Sequence, residues 1–306
     1  YMPNYLTTNP HSWEFLCTRK FMKTPSMYRL QARESLKNNW VKSALATLVF
    51  YLAIITPSMI VVLCTKGFNA TSTSFLWTLF ALISGFGVVP FTYAFCVAFL
   101  NYIRTKETTL LQDAWRIGIK NYGRFLGAYM IVYLISLAIG GLMSFLSFLL
   151  ESSESLFLIL IYTISVFWSF FLLLQVMYAY RMVPYILHDN PQLKVIAALK
   201  KSSQMMQGNK LLLFRLDISL FQWYLYALIL TLCLVVLGEY ISSFNLVIIS
   251  GVTGIVAMLG ILLCIYPYIC TISAHFYDDL QAEGNNEITD EETLPEQGVE
   301  DITIEK

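Results

Sequence analysis

Charge is what this chain of 306 residues has least of. Only 13% are Asp, Glu, Lys or Arg against 57% hydrophobic, too little polar material to clothe a water-soluble domain. Histidines number three and cysteines six. Cys64, Cys96, Cys233, Cys264 and Cys270 lie in or beside apolar runs with neither CxxC nor Cys/His spacing, so they read as buried small hydrophobes rather than a disulfide framework, and no metal is expected. Also missing are an HExxH motif, paired carboxylates within an apolar run, a nucleophile with a plausible base, and a glycine loop able to cradle phosphate. The chain is therefore not expected to be an enzyme, and neither catalytic residues nor cofactors are expected. Tyr1 to Phe21 lacks the apolar core of a signal peptide, so the first span is expected to serve as its own insertion signal, with translation beginning at Met22.

What the chain does have is uncharged length. Six runs of 23, 37, 26, 26, 21 and 38 residues lie between Lys42 and Lys66, Lys66 and Arg104, Arg124 and Glu151, Glu154 and Arg181, Asp217 and Glu239, and Glu239 and Asp278. About 20 apolar residues cross a bilayer, and runs without period-two alternation cross it as helices. The expected fold is an all-α integral membrane protein with six transmembrane helices.

Basic residues resist translocation, and here they are segregated. Lys23 to Lys42, Arg104 to Arg124 and Arg181 to Arg215 hold sixteen Lys or Arg, whereas the opposite connections hold only Lys66. Both termini and the long connections are thus expected in the cytoplasm. From Tyr277 onward eleven Asp or Glu face a single Lys, so residues 281–306 read as an acidic, disordered tail able to dock on the basic face of its own protein or on a partner. Residues 1–21 form an extension, and 22–280 the six-span domain.

That domain reads as three parallel repeats of an amphipathic helix plus a helical hairpin, over about 22–104, 105–188 and 189–280. Tyr28, Ala32 and Leu36 share a face after Thr24 and Pro25; Leu111, Trp115 and Ile119 form an apolar line after Thr109; Asp189-Asn-Pro191 reads as the cap of the third helix. The helices end at Asn39, Asn121 and Asn209, spaced 82 and 88 apart. The even spans each carry a proline-aromatic pair: Pro90-Phe91, Pro184-Tyr185 and Pro267-Tyr268. Proline leaves a carbonyl one turn earlier without its donor, so three kinks at one depth would open a cytoplasm-facing vestibule lined by Phe91, Tyr93, Tyr185 and Tyr268. Arg181, Arg215, Asp217 and His275 stand at its mouth as the few ionisable residues near the span ends. Arg215 and Asp217 are two apart and do not face each other, so each needs a partner elsewhere.

The three basic helices are expected to lie on the bilayer and attract anionic phospholipid headgroups of the inner leaflet. No nucleic-acid partner is expected. The first reading of function is transport or translocation of a small molecule or lipid through the vestibule. The alternative is a scaffold, assembly factor or regulator acting through the amphipathic helices and the tail.

Three stretches carry a family likeness: Tyr28 to Trp40, Tyr185-Ile-Leu-His-Asp-Asn-Pro191 with Gly208-Asn-Lys210 and Trp223, and Ala274-His-Phe-Tyr-Asp-Asp-Leu280. In these the chain resembles the bacterial membrane proteins of the domain of unknown function 975 family. Gln222, where the family often has Gly, and the acidic tail depart from it. The resemblance implies a six-span bacterial plasma-membrane protein and brings no settled activity.

Overall fold

An unpaired backbone group is costly in hydrocarbon, so a chain of long apolar runs is driven to helix. The computed structural model, which describes residues 23–65, 70–107, 109–150, 156–240 and 244–292, is all-helical with no strand among them. Its helices are α1 (Pro25–Leu36), α2 (Trp40–Thr65), α3 (Ala70–Thr105), α4 (Leu110–Lys120), α5 (Tyr122–Leu150), α6 (Leu156–Ala179), α7 (Val183–Asp189), α8 (Val195–Met205), α9 (Lys210–Tyr240) and α10 (Phe244–Glu292).

Among the described residues five stretches are long and apolar enough to cross a membrane: Gly87–Thr105 in α3, Tyr122–Met143 in α5, Leu160–Asp189 through α6 and α7, Lys210–Leu237 in α9 and Gly251–Gly284 in α10. The expected six is thus corrected to five. In α2 the apolar stretch found is Trp40–Ala53, and most side chains of the run beyond it lie outside the described residues. Helix α10 continues to Glu292, and residues 293–306, which hold the rest of the expected acidic tail, lie outside the described part, as do 1–22.

Burial is uneven. Half of the α3 stretch is buried, against 6% of the α6–α7 stretch. Ala94, Phe95, Val97, Ala98, Phe99, Leu100 and Tyr102 are covered all round, the mark of a central helix. The core gathers at the charged end, where Tyr28, Ala32 and Leu36 of α1, as expected, meet Phe276 and Tyr277 of α10, and Met182 to Leu187 close the side. Away from it, Phe157, Phe167, Trp168 and Phe170 of α6 are exposed, as apolar side chains facing lipid would be. Cys233 and Cys264 are exposed there too, against the expectation of burial, while Cys96 and Cys270 bring their sulfurs to 3.6 Å between α3 and α10.

The three asparagine junctions are built alike. Each Asn immediately precedes a long helix and its carbonyl accepts the first helical bond: Asn39 from the Ser43 N–H at 2.9 Å, Asn121 from Phe125 at 2.9 Å and Asn209 from Leu213 at 3.3 Å. Ahead of Asn209, Gly208 takes φ 78°, a left-handed conformation that glycine adopts without steric cost.

The likeness stops at the junctions. Pro90 and Pro267 lie inside continuous helices, whereas Pro184 sits at the start of α7, after a turn at 180–182 that breaks span four. The Tyr180 carbonyl, which Pro184 cannot serve, accepts from Val183 N–H at 3.2 Å, and the Ala179 carbonyl from Ser202 Oγ at 2.7 Å. Asp189-Asn-Pro191 is not a cap: α7 ends at Asp189, and α8 begins six residues later after Lys194. On α4 the buried face is Leu110, Ala114, Ile117 and Gly118, since these pack inward, so Leu111, Trp115 and Ile119 form a second, exposed apolar line. Gly118 lets α4 approach closely, because a Cβ there would stand 2.6 Å from the Phe91 ring.

Candidate functional site

A charge placed among apolar helices must find an opposite charge or a set of polar partners. Arg181, in the turn after α6, donates to Asp217 on α9 through both terminal nitrogens. The remaining capacity is filled locally: Tyr178 OH donates to Asp217 Oδ2 at 2.9 Å, and Arg181 Nη2 to Ser273 Oγ of α10 at 3.1 Å. Three spans are thereby pinned at one point. The pairing answers the question raised by the Arg215–Asp217 spacing for one residue only: Asp217 turns inward, and Arg215 is exposed with no ion pair among the described residues.

A second set of ion pairs closes the charged end. Arg104 of α3 forks onto Asp189 of α7 at 2.9 and 3.0 Å and reaches Asp278 of α10 at 2.6 Å, while Tyr277 OH donates to Asp189 at 3.1 Å. Lys23 pairs with Asp279 at 2.9 Å. Burial and this carboxylate together push the Tyr28 phenol upward, so it stays protonated. Arg124, which basic-residue counting had treated only as an orientation signal, donates to three carbonyls at the end of α7 and the loop after it, Leu187, Asn190 and Leu193, at 2.7 to 2.9 Å. A cation is favoured where carbonyls are left over at a helix end. Nothing in local sequence distinguishes Arg124 from its basic neighbours, and neither Asp189 nor Asp278 is marked as its own helix's partner for Arg104.

The aromatic residues expected around a vestibule pack against neighbouring helices. Phe91 stacks on Trp115 at 4.9 Å, Tyr93 meets Phe125 edge-on at 6.0 Å, and Tyr185, 2% exposed, stacks on Tyr277 at 5.2 Å. Tyr268 OH donates to the Arg29 carbonyl at 2.9 Å, and His275 bonds Ser35 Oγ at 3.0 Å. Pro90, Pro184 and Pro267 are covered along with their neighbours. Phe91 and Tyr268 line two different cavities.

Two of the described cavities lie where a connecting helix meets spans, and one lies between two spans. One of about 530 Å³ runs between α1 and α9, lined by Arg29, Arg33, Trp40, Leu220, Trp223 and Tyr268 among others. A second, of about 540 Å³, lies between α6 and the start of α9, with Phe171, Leu174, Tyr178, Lys210 and Phe214. The third, of about 530 Å³, is bounded by α2, α3 and α4, with Phe50, Val88, Phe91, Leu111 and Trp115. The first two combine apolar side chains with basic ones, Arg29 and Arg33 in one and Lys210 in the other, whereas the lining of the third is almost wholly apolar. No group of three or more His, Cys, Asp or Glu able to hold a metal occurs among the described residues.

Apolar helices of membrane-crossing length, held together at one charged end by ion pairs, define a multi-span helical membrane protein. The chain belongs to the family described as Protein of unknown function (DUF975), whose model matches residues 22–284. No curated protein and no solved structure matches it.

Proposed function

We propose that this protein handles a membrane-resident amphiphile, taking it from the inner leaflet into lateral grooves and moving it along the bundle's surface. The observation that carries the reading is the make-up of the cavities: the aromatic residues expected around a vestibule pack against neighbouring helices, while two of the described cavities combine apolar side chains with basic ones. The exposed apolar line Leu111, Trp115, Ile119 beside the basic Arg116 and Lys120 supports a charged end seated in the headgroup layer of a bacterial plasma membrane, with the termini cytoplasmic. The lipid version of the translocation hypothesis is favoured over a soluble solute crossing a central vestibule.

Reconstitution tests this. Full-length protein in vesicles containing a fluorescent headgroup-labelled phospholipid should raise the rate at which the label becomes accessible to a membrane-impermeant quencher, without making the vesicles leak a soluble dye. Equal rates with and without protein would refute the reading. A second reading, a scaffold working through the acidic arm, is supported by the continuation of α10 as helix to Glu292. Removing residues 281–306 should leave lipid movement intact if handling is the activity and abolish the cellular role if the arm is the working part.

A further inference from the structure

The cations of the charged end divide into those the fold uses and those it leaves free. Lys23, Arg104, Arg124 and Arg181 are taken up by carboxylates or carbonyls of this chain. Lys210, at the rim of the α6–α9 groove, donates to Gln175 Oε1 at 3.2 Å. Arg29 and Arg33 differ: among the described residues neither side chain has an ion pair, and both line the groove between α1 and α9. They stand four apart on one helix, so their side chains leave α1 on the same face, about one turn from each other. Two guanidinium groups so placed can grip one phosphate from two sides, each with a fork of N–H donors.

Behind the arginines the groove turns apolar. Trp40, Leu220 and Trp223 form its wall, with Tyr268 fixed at the base by its bond to the Arg29 carbonyl. Leu220 is buried, whereas Trp223 is 54% exposed and Leu30 57%, so the groove continues outward onto a surface that faces lipid. Ser219 and Gln222 supply hydrogen-bonding groups on the α9 side, and Arg215, exposed, leaves α9 one turn before Ser219 on the same face. Cations at one end, tryptophans at headgroup depth and an open apolar flank match a lipid phosphate, with the anion at the rim and the chains leaving along α9.

We infer that the α1–α9 groove is a binding site for the phosphate headgroup of an anionic membrane lipid, held by Arg29 and Arg33 over Trp40 and Trp223. The inference rests on the preceding reading in setting the charged end at the inner leaflet. Of the described grooves it is the one lined by two cations without an ion pair, which argues for an anionic ligand. A free inorganic anion would have no use for the tryptophan wall.

The test uses the full chain in phosphatidylcholine nanodiscs doped with phosphatidic acid or phosphatidylglycerol bearing brominated acyl chains. Retained lipid is read by native mass spectrometry, and contact with the groove by tryptophan quenching. One anionic lipid should be retained, and part of its quenching should vanish in W223F. R29Q/R33Q should weaken retention about thirtyfold, the change that corresponds to about 1 kcal/mol for each arginine near the bilayer surface. K200Q/K201Q, which alters exposed α8 lysines outside the groove, should change it little. Equal weakening by both double variants, equal quenching of the parent protein by brominated phosphatidylcholine, or displacement of the lipid by inorganic phosphate would each overturn the site. Retention unchanged in R29Q/R33Q while the parent protein moves lipid overturns the site and leaves the handling reading standing; binding here without any movement does the reverse.

Discussion

Replacing Asp217 with Asn keeps the shape of the side chain and removes its charge. Arg181 would then be left among apolar helices with only Ser273 and a neutral amide, and Tyr178 OH would lose a charged acceptor. Both partners are mostly covered, at 20% and 24% side-chain exposure, so screening by water is limited and the cost is that of an orphaned charge, about 3 kcal/mol or more. This is about a hundredfold in the folding equilibrium. Reversible unfolding of the detergent-solubilised protein in a series of SDS mole fractions, followed by tryptophan fluorescence, would measure it. The companion variant R181M/D217L separates charge from packing: with both charges gone it should recover most of the loss and fall within about 2 kcal/mol of the parent, the deficit arising from Tyr178 and Ser273. A D217N effect within experimental error, or a double variant as unstable as the single, would refute the view that this pair is a mutually dependent internal tie.

Two further outcomes follow from the same contacts. R124Q leaves the Leu187, Asn190 and Leu193 carbonyls without their shared cation and should cost about 2 kcal/mol, seen first as faster hydrogen exchange over residues 186–195 with little change in α3. G208A, at an exposed position with φ 78°, forces alanine into the left-handed region; about 1 kcal/mol should be lost in the same SDS titration, whereas an alanine on the exposed face of α8 should cost a few tenths.

The helical class and membrane character were legible because hydrocarbon constrains run length so strongly. The junctions were legible too, since Asn39, Asn121 and Asn209 repeat a local bonding pattern with the residues directly after them. Relations between distant helices were not. The spacing of Arg215 and Asp217 required outside partners but could not say which residue would turn inward. Pro90, Pro184 and Pro267 were recognisable as a set, yet whether their aromatic neighbours line a chamber or fill it depends on what Trp115, Phe125 and Tyr277 do, and those lie on other elements. Arg29 and Arg33 looked like surface anchors because the opposite wall of their groove, at Ser219 to Trp223, is nearly 200 residues away in the chain.

The first described helix is fastened to the last. Lys23 meets Asp279, Ser35 meets His275, and the Arg29 carbonyl takes the Tyr268 hydroxyl, contacts separated by 256, 240 and 239 residues. During synthesis α1 must therefore wait, with Tyr28, Ala32 and Leu36 uncovered, until α10 has emerged and entered the bilayer. Insertion and tertiary closure become separate events in time, and the interval between them is when a membrane chaperone could hold the chain or a protease could remove it.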